Sequence, residues 1–144
     1  MAFPKHLLES LKKIQDTNVI CPAIISQHAA LAALTSGRSY CQPHVEEMAA
    51  VRLSVLEVLS VLGEGIRVVE PMGAFYVFIE LPNTALSDMT LVQRLIEDYQ
   101  VAVVPGRAFG VSDRCSLRVS YGALQTHDVL NGMDRLVDGL GQLI

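Results

Sequence analysis

Lysine is scarce in this sequence. Lys5, Lys12 and Lys13 are the whole supply among 144 residues, and all three fall within the first thirteen. No basic cluster exists beyond Lys12-Lys13, and a net charge of −4 with a pI near 5.5 argues against a nucleic-acid surface. Cysteine is almost as sparse. Cys21, Cys41 and Cys115 are odd in number and far apart, with no CxxC and no Cys/His ligand spacing, so neither a disulfide framework nor a zinc site is indicated. They read as reduced thiols of a cytoplasmic protein. The opening Met1-Ala2-Phe3-Pro4-Lys5 lacks the basic region and apolar core of a signal peptide. There is no GxGxxG, no GxxxxGK[ST], no low-complexity linker and no internal repeat. The four histidines, His6, His28, His44 and His127, have no i, i+4 pairing and no acidic partner at ligand spacing. His28 reads as a hydrogen-bonded core residue and the others as surface. No spacing supports a Ser/His/Asp triad.

Formal charge is missing from Thr17 to Gly37, long enough to raise the question of a membrane span. Asn18, Pro22, Ser26, Gln27 and His28 put polar groups through its first half, and the alanine-rich remainder is weakly apolar. A buried helix of a soluble protein fits better. Apolar residues are plentiful instead. They make up 51% of the chain, with a mean hydropathy of +0.37. Either the core is unusually rich, or some apolar surface lies against something outside this chain.

Pro4 to Asp16 places Leu7, Leu8, Leu11 and Ile14 at helical spacing. Thr17 to Cys21 is a loop. Pro22 opens a second helix, Ala23 to Thr35, which Gly37 stops; its alanines predict close packing on all sides. Pro43 starts a long helix to Leu62, with Val45, Met48, Val51, Val55, Val58 and Leu62 at 3–4 spacing. Beyond Gly65 the pattern becomes ββαββα. Strands Ile66–Val69 and Ala74–Leu81 come first, the second closed by Pro82-Asn83. A helix Met89–Tyr99 follows, capped by Ser87-Asp88, with Leu91, Leu95 and Ile96 inward. Two further strands and a helix Thr126–Leu140 complete the chain. The fold class is α/β: a helical N-terminal segment, a long connecting helix, then a small ββαββα domain.

The two later strands lie within Val101 to Tyr121. Val101-Ala102-Val103-Val104 reads as a buried strand ended by Pro105-Gly106, and a glycine loop through Phe109-Gly110 leads to the next. There Cys115, Leu117, Val119 and Tyr121 share one face, and Ser116, Arg118 and Ser120 the other. A guanidinium on a short central strand is costly unless it meets an anion. Strand geometry by itself leans slightly to a structural arginine paired with a carboxylate of this chain; the alternative is a ligand anion. Arg107 and Arg114 flank the loop and read as exposed arginines without an anion to hold.

Four motifs then stand in one order: Cys21-Pro22 with Ser26-Gln27, Gly73-Ala74-Phe75-Tyr76, Val103-Val104-Pro105-Gly106 with Phe109-Gly110, and Leu117-Arg118-Val119-Ser120-Tyr121. Together they resemble the C-terminal part of a class I/II aminotransferase, a fold-type I pyridoxal-phosphate enzyme of the aspartate/aromatic kind. The resemblance implies amino-group transfer between an amino acid and a 2-oxo acid, with Arg118 binding the substrate α-carboxylate and Phe75, Tyr76 and Phe109 lining the cleft. It implies residues 1–40 as the tail of a large cofactor-binding domain, 41–64 as a connecting helix and 65–144 as the small domain. It also implies a homodimer, with Thr17–Cys21 resembling an interface segment. The family's Schiff-base lysine would lie upstream of the first helix, and Asp16, Asp88 and Asp98 lack the context of its pyridine-pairing aspartate. The expectation is therefore a C-terminal fragment that is inactive alone. The alternatives are a non-catalytic amino-acid-binding or interaction module, or a truncated gene product.

Overall fold

The computed structural model describes every residue except Met1, Ala2, Val19 and Asn83, and divides the chain into two compact units, residues 1–43 and 44–144. The leader reading and the closure of the second strand at Asn83 therefore fall partly outside the described residues. In the first unit a 3-10 turn, Lys5–Leu7, leads into α1 (Leu8–Asn18), and α2 (Ile24–Ser36) follows. The helix α1 takes in Thr17 and Asn18, which the sequence assigns to a loop. Gly37 ends α2 with a φ of +67°, a conformation open to a residue without a Cβ. No residue of α2 is buried, so the expected packing on all sides is not made, and Ile24, Ile25, Leu31 and Leu34 are all exposed. His28 is exposed with them and is not a core residue.

The third helix, α3 (Arg38–Leu59), begins five residues before Pro43, which sits inside it. Pro43 is past the first turn, where a missing N–H removes one bond of the helix ladder and the ring crowds the preceding turn, so the helix carries it at a cost instead of starting with it. In the second unit Val51, Val55 and Leu59 of α3 are buried in a single apolar cluster. The sheet consists of β1 (Arg67–Val69), β2 (Tyr76–Glu80), β3 (Val104–Pro105) and β4 (Ser116–Ser120), antiparallel throughout in the order β1-β2-β4-β3. The ββαββα order is completed by α4 (Asp88–Tyr99) and α5 (Thr126–Leu143).

Alternation divides the sheet into two faces. Val77, Ile79, Leu117, Val119 and Tyr121 join Leu91, Leu95, Met133, Leu136 and Leu140 from α4 and α5 in the core. The other face carries Tyr76, Phe78, Ser116, Arg118, Ser120 and Val104, with Phe78 and Val104 directly opposite Arg118 in register. Ser87 caps α4, its Oγ accepting from the N–H of Thr90 at 3.1 Å.

Three expectations differ in detail. The strand predicted from Val101 is paired only at Val104 and Pro105, although Val101 and Val103 are buried; proline is tolerated there because β3 is an edge strand. The strand predicted from Ala74 starts at Tyr76, because Ala74 has a left-handed φ of +61° that breaks the extended run. Ile96 is exposed, and Val92 takes the inward place beside Leu91 and Leu95.

Candidate functional site

Arg118 is at the centre of β4, one of the two inner strands, on the face opposite the core. Its guanidinium carbon lies 5.0 Å from the ring centroid of Tyr76 and 4.4 Å from that of Phe109. The first ring comes from β2 and the second from the segment after β3, so aromatic carbon reaches the guanidinium from the chain on both sides of β4. Each contact at this distance stabilises the cation by about 0.5–1 kcal/mol, more where water is displaced. Arg118 Nε is buried without a hydrogen-bond partner, and no carboxylate among the described residues forms an ion pair with this arginine. The reading of Arg118 as a structural arginine paired within the chain is thereby overturned. What remains is a half-buried cation with two aromatic neighbours and unused donors, suited to an external carboxylate.

The Tyr76 side is set by the turn from Pro71 to Phe75. Arg52 of α3 donates from Nη1 to the Pro71 carbonyl at 2.8 Å. Ala74 turns the chain through its left-handed φ, and the Phe75 carbonyl accepts from the Tyr121 N–H at 2.8 Å, extending the β2–β4 ladder by one bond. Gly122 comes so close to Phe75 that a Cβ there would sit 2.6 Å from the Phe75 Cβ. Phe75 does not reach the guanidinium; it packs edge-on against Tyr76, with centroids 5.9 Å apart and planes at 81°. Neither Phe75 nor Tyr76 is a strand-core residue, since both are exposed.

The Phe109 side is set by a 3-10 turn, Gly106–Phe109, closed by Gly110 at φ +85°. Gly106 lies directly against β4, where a Cβ would fall 1.9 Å from Ser116 Oγ. Arg107 of this turn pairs with the buried Asp88, and Arg114 with Asp113 and Glu80. The sequence shows these two arginines as unpaired loop residues; their partners, 19 and 34 positions away for Asp88 and Glu80, lie beyond any local spacing rule. The thiol of the half-buried Cys115 is pushed above its ordinary 9.0 first by burial and then by Asp88, with Arg107 opposing. That direction keeps it protonated and unreactive. Lys5, Lys12 and Lys13 are exposed in the first unit, and Lys12 pairs with Glu9 at 3.2 Å. Among the described residues no group of His, Cys, Asp and Glu is placed to hold a metal ion, and no helix is long and apolar enough to cross a membrane.

Comparison with known proteins gives a consistent relationship. An aromatic-amino-acid aminotransferase of Thermococcus litoralis is 34% identical over 140 residues, covering 94% of this chain and 35% of that protein. Among solved structures, the aromatic aminotransferase of Pyrococcus horikoshii superposes with a TM-score of 0.78 at 31% identity, over 98% of this chain and 38% of that one. The alpha-aminoadipate aminotransferase of Thermus thermophilus, complexed with N-(5'-phosphopyridoxyl)-L-leucine, gives 0.79 at 26% identity, over 99% and 37%. The chain thus spans about a third of the length of the curated relatives it matches. The family model for aminotransferase class I and II matches residues 1–136, and the chain belongs to that family.

Proposed function

We propose that residues 1–144 are the substrate-carboxylate end of an aminotransferase, with Arg118 holding the α-carboxylate of an amino acid or 2-oxo acid. The observation that carries this is the unpaired guanidinium between Tyr76 and Phe109. A carboxylate meeting it gains charge-assisted hydrogen bonds from a guanidinium that two rings flank. Anchoring at one end fixes where the rest of the substrate points, which is the chain's own part in the reaction.

Enzymes of this family depend on pyridoxal phosphate, which serves as the electron sink when bound. The residues present do not fit that group. The second unit contains no lysine, and Arg107 and Arg114, which flank the glycine loop, already have carboxylate partners. Residues 1–144 alone are therefore assigned no transamination. On this reading residues 1–40 belong with a large cofactor-binding domain, 41–64 form the connecting helix and 65–144 the small domain, in a cytoplasmic homodimer.

The test is a titration of the full chain with 2-oxoglutarate, followed by amide NMR shifts of β4 and of the Gly106–Phe109 turn. Arg118→Ala should weaken binding by roughly 10- to 100-fold, the equivalent of hydrogen bonds to a charged group worth about 1.5–3 kcal/mol. Equal affinity in the variant and the parent would remove Arg118 from the site.

A further inference from the structure

Asp88 is a buried carboxylate that the anchor itself does not use. It is 3% exposed, at the first residue of α4. Its Oδ1 accepts from the Met89 N–H at 2.9 Å and from Arg107 Nε, and its Oδ2 accepts from the Arg107 backbone N–H at 3.1 Å. A buried charge persists only where donors meet it, and two of the three donors belong to Arg107. Capping of α4 is done by Ser87, through Thr90, so the helix start does not depend on this carboxylate alone.

Arg107 is the second residue of the turn that ends in Phe109. The turn is held at Gly106 by contact with Ser116 and at Arg107 by Asp88, through backbone and side chain together. Phe109 follows two residues later and covers Arg118 at 4.4 Å. With Gly106 and Arg107 held, only Ala108 separates the fixed part of the turn from the ring.

We propose that Asp88 is a positioning residue for the carboxylate anchor, locking the Gly106–Phe109 turn so that Phe109 stays over Arg118. This role rests on the reading of Arg118 as the anchor. Asp88 does not pair with the Arg118 guanidinium; it acts through Arg107 and Phe109.

The experiment uses the full chain and two readouts. One is the side-chain Nε–H resonance of Arg118 without ligand, which senses the Phe109 ring; the other is the affinity for 2-oxoglutarate. Phe109→Leu should shift the resonance and weaken binding about two- to fivefold, the range of one exposed cation–π contact. Asp88→Ala should reproduce both effects, and the Asp88→Ala/Phe109→Leu double variant should be no weaker than the worse single one. Asp88→Asn keeps an oxygen for the Arg107 N–H and should fall between, so it carries the test if Asp88→Ala fails to fold. Ser87→Ala is the structural control: it should lower stability and leave the Arg118 resonance in place. The positioning role is overturned if Asp88→Ala, or Asp88→Asn in its place, lowers stability while resonance and affinity stay at parent values, or if the double variant is additive. If Arg118→Ala leaves 2-oxoglutarate binding unchanged, the anchor reading falls and this role with it. If Arg118→Ala abolishes binding and the Asp88 variants change nothing at Arg118, only the role of Asp88 falls.

Discussion

Two glycines of α5 should respond to alanine with opposite signs. At Gly132 an added Cβ meets nothing within 4 Å. At Gly139 it would lie 2.7 Å from Leu95 Cδ2 and 3.1 and 3.2 Å from two ring carbons of Tyr99. Leu95 is fully buried and has nowhere to retreat, so the clash is shared among Leu95, Tyr99 and the helix backbone. Glycine to alanine inside a helix gains about 0.8–1 kcal/mol at either position. Overpacking at Gly139 costs about 1–3 kcal/mol, so the net change there runs from near zero to a loss of about 2 kcal/mol. Because the helix-propensity gain is common to both variants, their difference isolates the α4–α5 contact at about 1–3 kcal/mol. In a unit of this size that separates the melting temperatures by roughly 4 to 24 °C, since each kcal/mol moves Tm about 4–8 °C. Urea midpoints at constant m, together with thermal melts by circular dichroism, measure it. If Gly139→Ala stabilises the protein as much as Gly132→Ala, α5 does not pack on α4 as closely as described, and the frame behind the sheet needs revision.

Ser87→Ala should cost about 1 kcal/mol by leaving the Thr90 N–H without its cap, read as a lower urea midpoint with unchanged m; no change would mean that Asp88 caps α4 unaided. Leu117→Ala, at a fully buried position of β4, should cost about 2–5 kcal/mol in the same assay, and a loss below 1 kcal/mol would contradict its burial. Alkaline pH should also destabilise the second unit. Burial pushes the Tyr121 phenol above its ordinary 10.0, so the folded state keeps its proton where the unfolded chain has released it. The stabilisation is complete below about pH 10 and is lost as pH rises through the raised value, by up to about 1.4 kcal/mol per pH unit for this one proton. Tyr121→Phe should flatten that decline, and an unchanged slope of urea midpoint against pH would exclude Tyr121 as its source.

The ββαββα order was legible because each element carries its own period: alternation through Val77, Ile79, Leu117 and Val119, and 3–4 spacing through Val129, Met133 and Leu136. Errors fall where non-local facts decide. The alanines of α2 suggest packing, but nothing in the sequence of that helix says what covers it, and its residues are exposed. Ile96 looks inward by spacing, yet the helix orientation that buries Val92 turns it out. Ala74 looks like the start of a strand, because alanine gives no sign of a left-handed φ. At the site, Arg118 stands out locally as a charge on an apolar strand. Its neighbours could be named only from resemblance, and Asp88 could be seen only as part of a helix start. Its partner Arg107 is brought to it by the return of the chain through β3, a contact with no local signature.

The sheet's two margins have a consequence for how this protein meets others. β1 is three residues long and β3 only two, one of them Pro105, which has no N–H to offer an incoming strand. A margin that short and interrupted cannot template the pairing of a further strand. Growth of the sheet from one copy to the next is disfavoured at both margins. Contacts made at these two margins therefore draw on side-chain packing, where shape and sequence discriminate, more than on backbone hydrogen bonds that every chain can supply.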